Sequence, residues 1–327
     1  MSVLVAGHSP QPGFRLDGVE VVSVAGGLKR LPRNTAAVAR QVIRSRADAV
    51  HVFTGSSTLL GISALLLAKV VGARAVMSVF GREDFAFESL PPRILLRLST
   101  KLADSIDVNS TATGALLPQD VRLKTHVLLG AADESGSSAP AGPAEQVLLF
   151  VGRLVQRKGV DDLLRAFAIV RHQFPGVRLS VVGGGPEKAN LVELAEDLGV
   201  LDLVEFKGVL VGRELDREYD RCVALLLPSK DVASDPANEG LGLALIEASM
   251  HGKPLIGTRH GGIPEVIAHR KNGLLVPPND PNSLAEGIIE ILSDEELARD
   301  MGKTALQMAL SRFSWDKATD VLLESYA

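Results

Sequence analysis

The chain has 327 residues, 46% of them hydrophobic and only 4% aromatic, and a formal net charge of −4. That length exceeds what one core usually serves and points to two domains, while a core so poor in rings must be built from Val, Leu, Ile and Ala, which favours a parallel α/β sheet over a sandwich. The charge excludes a nucleic-acid signature: residues 1–135 hold 15 Lys/Arg against 11 Asp/Glu, a modest +4, and the remainder holds 20 against 28.

The opening MSVLVAGHSP has only a short apolar run, residues 3–6, before Gly7 and His8, and reads as a first strand rather than a secretory leader. Val/Ile-rich runs follow at 19–24, 49–53, 74–79, 105–109 and 125–129, alternating with helical periods in the rhythm of βα units. His51, inside AVHVF, reads as a strand residue facing solvent or a cleft. The longest apolar stretch, residues 59–76, is broken by Lys69, Gly72 and Arg74, so no segment reaches the roughly 18 to 20 residues that spanning requires. A soluble, cytoplasmic protein is expected. In PPRILLRLSTKLAD, Arg93, Arg97 and Lys101 recur at four-residue spacing opposite Ile94, Leu95, Leu98 and Leu102. The ordinary reading is a solvated amphipathic helix; the alternative is peripheral contact with an anionic membrane, at the inner face.

Residues 134–145, ESGSSAPAGPAE, carry no apolar period and read as a linker. The domains expected are therefore 1–135 and 146–310, with a helix over 311–327 that packs back on the first. Strand-like runs resume at 147–152, 177–183, 203–208, 223–229, 254–258 and 273–277, and from Ser283 onward the pattern is helical with one break near residues 311–315. The lone cysteine, Cys222, adjoins the apolar run 223–227 and reads as core, in a reduced compartment.

Two segments carry chemistry. In VGRLVQRKGVDDLLRAF (151–167) a strand ends at Gly152 and Arg153, and a loop with Lys158 and Gly159 leads into a helix from about Val160. Cations beside orphan helical N–H groups suit a diphosphate, although a solvated basic loop has the same pattern. In the segment 228–267, Glu239 and Glu247 flank Gly240 and Gly242 at an offset of eight, about 2.2 turns at 3.6 residues per turn. Glu239 is expected at the mouth of a helix and Glu247 two turns in, on much the same face. The glycines would let backbone amides approach an anion closely. Paired glutamates on an Ala/Leu helix are often a solvated face, yet Leu243, Ala244, Leu245, Ile246, Ala248 and Met250 leave Glu247 almost without charged company.

Together, GRLVQRKG, GGGP (183–186), EGLGLALIEA, HGKPLIGTRHGGIPEVI and NGLLVP resemble the family 4 glycosyltransferases, enzymes of the GT-B fold with two facing Rossmann-like doubly wound domains. The resemblance runs from about Gln146 to the C-terminus, and more weakly through RADAVHVFTGSS and ADSIDVNS. It implies retaining transfer from a nucleotide-diphosphate sugar, without metal or cofactor, to a carbohydrate, lipid-linked or small-molecule acceptor. Arg153 and Lys158, beside Gly152, would bind the diphosphate. Glu239 and the amides of Gly240, Leu241, Gly242 and Leu243 would hold the sugar, and Glu247 the ribose. The backbone of Lys207, Gly208 and Val209 would meet the base. The donor motif looks most like members that build exopolysaccharide or lipid-linked oligosaccharide.

The first half departs from that family twice. GHSPQPGFRLDG leaves about a dozen residues between the first two strands, too few for loop, helix and return, so a trimmed N-terminal lobe is expected. Where members often carry a histidine touching the donor sugar, this chain has Phe80 and Gly81, on the acceptor and sugar side, and a phenyl ring cannot replace that polar contact. A donor-binding partner subunit that has lost transfer is the alternative. A nicotinamide oxidoreductase is disfavoured because neither VAGHSP nor VVGGGP continues as G-x-G-x-x-G opening a helix.

Overall fold

The computed structural model describes residues 15–16, 19–20, 36, 39–40, 42–44, 47–53, 58–80, 92–132, 146–232 and 239–327. They form two compact units, one comprising Met1–Leu128 with Thr319–Ala327, the other Leu129–Ala318.

In the first unit, β1 (Arg15–Leu16) and β2 (Val19–Glu20) pair antiparallel. The run at 19–24 is thus no parallel strand where it is described: with two residues between them, these strands form a hairpin. The run at 3–6 lies outside the described residues. A four-stranded parallel sheet follows in simple order: β3 (Ala49–Phe53), β4 (Arg74–Val79), β5 (Ser105–Val108) and β6 (Thr125–Val127). Helix α1 (Thr58–Val71) joins β3 to β4, α2 (Pro92–Leu102) joins β4 to β5, and the single turn α3 (Thr111–Gly114), capped by the Ser110 hydroxyl, follows β5. Ala75, Met77, Ile106 and Val108 are buried to 1% or less, as strands covered on both faces require.

His51 does not face solvent. It is 6% exposed, with Nδ1 2.7 Å from the Tyr326 hydroxyl and Nε2 2.7 Å from Ser78 Oγ. Ser325 Oγ donates to Asp107, and Arg74 Nε donates to the Ser325 carbonyl. These polar contacts seat the chain's last residues on the first unit's sheet. Burial pulls the His51 imidazole down to about 4, whereas in an unfolded chain it titrates near 6.5. The unfolded chain therefore takes up the proton first, and stability is lost as pH falls below 6.5, by about 2 kcal/mol at pH 5. Burial raises Asp107 despite its Ser325 hydrogen bond; that cost is relieved as pH falls, so it offsets part of the loss. Denaturant titrations at pH 7.5 and 5 should show the gap in wild type and a smaller one in His51→Gln. Equal gaps would rule His51 out as its source.

The second unit is a doubly wound sheet. Its strands are β7 (Val147–Val151), β8 (Arg178–Val182), β9 (Val204–Gly208), β10 (Cys222–Leu227), β11 (Leu255–Thr258) and β12 (Gly273–Val276), parallel in the order β12-β11-β10-β7-β8-β9. The winding reverses between β7 and β10, and ligands of such sheets bind outside the carboxyl ends at that point. Leu148, Leu149, Phe150, Val181, Leu225, Leu226 and Ile256 are fully buried, and each large apolar side chain so removed from water contributes about 1.5 to 3 kcal/mol. The interleaved helices are α4 (Val160–Val170), α5 (Lys188–Asp197), α6 (Arg213–Arg221), α7 (Leu243–Met250) and the short α8 (Ile263–Val266). α4 buries Val160, Leu163, Leu164, Phe167 and Val170 on one helical stripe.

The C-terminal stretch breaks twice. Asp280 and Asp294 cap α9 (Pro281–Ser293) and α10 (Glu295–Arg312), their carboxylates accepting from the Ser283 and Leu297 amides, before α11 (Trp315–Tyr326). The boundary between units falls before the linker, which itself lies outside the described residues. Leu129 and Ala132 pack on the second core, and the Ala132 amide donates to the Phe313 carbonyl. At the far end only Thr319–Ala327 join the first unit, not the whole of 311–327. Among the described residues no helix is long and apolar enough to cross a membrane.

Candidate active site

The carboxyl ends of β7 and β10 meet through glycine. Beyond β7 the chain passes Gly152 and Arg153 into a single 3-10 turn, Gln156–Lys158, and then Gly159 at φ +66° opens α4. A Cβ on Gly159 would stand 2.0 Å from the Pro228 carbonyl oxygen just past β10, so only glycine lets the two strand ends approach this closely. The Lys230 amide donates to the Arg157 carbonyl at 2.8 Å, sealing the same seam.

Glu239 is the centre of the charge here. It is 5% exposed, and its Oε2 accepts from Lys158 Nζ at 2.6 Å and from Ser229 Oγ at 2.7 Å, with Arg157 Nη1 at 3.7 Å. Burial alone would raise this carboxyl, but the Lys158 ammonium, the Ser229 hydroxyl and Arg157 outweigh it and hold it below its ordinary value. Its backbone is fixed too: the Glu239 carbonyl accepts from the Gly262 amide at 3.0 Å, and a Cβ on Gly261 would lie 2.2 Å from that oxygen. Expected residues Lys158 and Glu239 are thus brought together. Of the two arginines in the loop, the buried one beside Glu239 is Arg157, while Arg153, expected at the donor diphosphate, is exposed.

Gly242, at φ +79°, precedes α7, and Leu243 begins it, 55% exposed, while Leu241 is buried. Because the helix starts at Leu243, Glu247 lies about one turn in rather than two. Glu239 and Glu247 also have separate partners: the latter accepts from the Tyr219 hydroxyl at 2.5 Å. At the end of β9 the Gly208 carbonyl accepts from the Gly183 amide at 2.7 Å, and Val209 is 73% exposed. Lys207 turns its ammonium toward Glu205 and Glu218. A cavity of about 430 Å³ opens beside the seam, lined by Val155, Gln156, Asp161, Glu187, Asn190 and Lys230 among others, with Lys230 Nζ bonded to Asp161 and Asp162 at 2.8 and 2.9 Å.

In the first unit Phe80 is 38% exposed and its carbonyl accepts from Asn109 Nδ2; Gly81 lies outside the described residues. Lys101 and Arg97 are exposed on α2, while the Arg93 side chain is outside the description. Of the face opposite them Leu95 is buried, but Ile94 and Leu98 are 61% and 44% exposed, so the helix does not sink its whole apolar stripe. Ser229, Arg157 and Tyr219 join the site without being expected there. Ser229 has the signal of a polar residue just past a strand end, whereas Tyr219 has no local signal. Among the described residues no cluster of His, Cys, Asp and Glu has metal-holding geometry.

A doubly wound α/β unit with a buried cation–carboxylate pair at its reversal, preceded by a second parallel-sheet unit, is the GT-B architecture. The chain belongs to the Glycosyl transferases group 1 family, whose model matches residues 135–308. It is 35% identical over 166 residues to the GDP-mannose-dependent alpha-(1-6)-phosphatidylinositol monomannoside mannosyltransferase of Mycobacterium tuberculosis, and 36% identical over 200 residues to the D-inositol 3-phosphate glycosyltransferase of Segniliparus rotundus. Those stretches are 51% and 59% of this chain and 43% of either relative, so the chain matches well under half the length of these curated proteins. In fold it is similar to Anabaena HepE, solved with UDP (TM-score 0.79, 20% identity, 99% of both chains), and to the sucrose-phosphate synthase of Thermosynechococcus elongatus (TM-score 0.80, 23% identity, 99% of this chain and 88% of that one).

Proposed function

We propose that the chain transfers a sugar from a nucleotide-diphosphate donor to an acceptor hydroxyl, with retention at the anomeric carbon and without a metal. The observation that carries this reading is the buried constellation Lys158–Glu239–Ser229 at the reversal of a family-matched sheet. On this reading Lys158, with Arg157 and the exposed Arg153, stabilises the departing diphosphate, and the amides from Gly240 to Leu243 add donors at the start of α7. Glu239 steadies the cations before the donor arrives and accepts from the sugar once it is bound. Glu247 takes the ribose diol, and the backbone at Gly208 and Val209 the base. Phe80 favours an apolar 6-substituent on the sugar, because a hydroxyl buried against a ring loses its water without return.

The acceptor fitting the resemblance is an oligosaccharide or lipid-linked saccharide, and two relatives act on inositol-containing substrates by name. Ile94 and Leu98, exposed beside Arg97 and Lys101, suit shallow contact with an anionic membrane. A screen of nucleotides and nucleotide-sugars by thermal shift tests the donor reading: a ligand at 100 times its Kd adds about 2.7 kcal/mol, and no shift with any of them would sink it. Transfer to an identified acceptor should continue in EDTA; a strict Mg²⁺ or Mn²⁺ requirement would refute cation-only stabilisation of the diphosphate.

A further inference from the structure

We propose that Tyr219 is a positioning residue that sets discrimination between ribo- and 2′-deoxyribonucleotides, by aiming Glu247 at the ribose of the donor. The inference rests on the reading above, in which Glu247 meets the ribose diol.

Tyr219 sits on α6, 1% exposed, and its hydroxyl donates to Glu247 Oε2 at 2.5 Å across to α7. Burial, reinforced by the Glu247 charge, pushes the phenol far up, so at neutral pH it remains an O–H donor. Its ring is held from behind: it stacks on His251, with centroids 5.2 Å apart and planes 29° from parallel, and His251 Nδ1 is 2.8 Å from Asp220 Oδ1. A donor so fixed leaves one orientation for the carboxylate it serves.

Glu247 is only partly buried, and among the described residues its Oε1 accepts no hydrogen bond. Tyr219 therefore engages one oxygen and leaves the other as an acceptor. A group that accepts but does not donate selects a ligand that brings hydroxyl hydrogens, and a ribose brings them at both 2′ and 3′ whereas a 2′-deoxyribose brings one at 3′ alone. Without Tyr219, Glu247 regains rotamer freedom that must be lost again on binding.

The test measures Kd for UDP and GDP and for their 2′-deoxy counterparts, by calorimetry, in wild type, Tyr219→Phe and Glu247→Gln. The phenylalanine keeps the stacked ring, and the ribo/deoxy ratio from one preparation does not depend on how much of it is folded. Wild type should prefer the ribonucleotide by about tenfold or more, the scale of one hydrogen bond to a charged group. Tyr219→Phe should shrink that preference to about twofold, weakening ribonucleotide binding more than 2′-deoxy binding, in which only the 3′-OH meets Glu247. A Glu247→Gln variant that retains the full preference would overturn the ribose reading itself. Glu247→Gln losing the preference while Tyr219→Phe keeps it would leave that reading standing and overturn the role of Tyr219. Equal weakening of both sugars in Tyr219→Phe would likewise reduce Tyr219 to packing.

Discussion

Lys158→Ala and Glu239→Gln should each lower kcat by about 10² to 10³, the usual cost of losing one preorganised group that stabilises a leaving anion. The fold should suffer as well, because the Glu239 and Lys158 side chains are only 6% and 12% exposed and are bonded to each other. Removing the lysine leaves a buried carboxylate with Ser229 and a more distant Arg157, and breaking a buried pair this way costs about 3 to 5 kcal/mol.

Rate and stability can be separated. In Lys158→Met/Glu239→Gln neither charge is stranded, so denaturation midpoints should recover toward wild type while kcat stays low. Recovery of both would show the pair to be structural. Acid behaviour gives an independent check. The Glu239 carboxyl lies lower in the folded chain than when unfolded, so its contribution is present above the unfolded value of about 4.5 and is lost as pH falls through the folded value. Wild type should lose stability below pH 4.5 more steeply than Glu239→Gln.

Gly159→Ala should be among the most damaging single methyl additions in the second unit. Its φ of +66° alone costs an L side chain on the order of 1 to 3 kcal/mol, and the new Cβ would stand 2.0 Å from the Pro228 carbonyl oxygen, backbone that cannot swing away. One strand end must move, carrying Ser229 off Glu239, so stability and rate fall together. Gly208 isolates the torsional part, since it has φ +73° and nothing within 4 Å of an added Cβ. Gly208→Ala should lower Tm by a few degrees, at roughly 2 to 4 °C per kcal/mol for a unit of this size. Gly159→Ala should lose at least twice as much; equal losses would mean that the seam is looser than the structure has it.

The strands of the second unit were legible because their control is local. Runs such as VLLFV and VALLL must be buried on both faces and cannot be read otherwise once glycine and helical periods bracket them. The loop Gly152–Lys158 and the pair Glu239 and Glu247 were legible for a related reason, since charge placed beside glycine at a strand end is hard to explain as packing. What the chain could not disclose alone is which groups touch. Glu239 faces Lys158, 81 residues away, only because β7 and β10 lie side by side at the sheet's reversal, and that adjacency belongs to the winding order. Tyr219 carries no local signal in the sequence, and only the meeting of α6 with α7 gives its hydroxyl Glu247 as a partner. His51 reads as a strand residue facing solvent or a cleft, and its actual partners come from the chain's last residues, Ser325 and Tyr326, which lie against it and Asp107. In each case a polar residue's role was set by a partner far along the chain, because burial leaves such a group no water and forces it to bond with whatever the fold brings near.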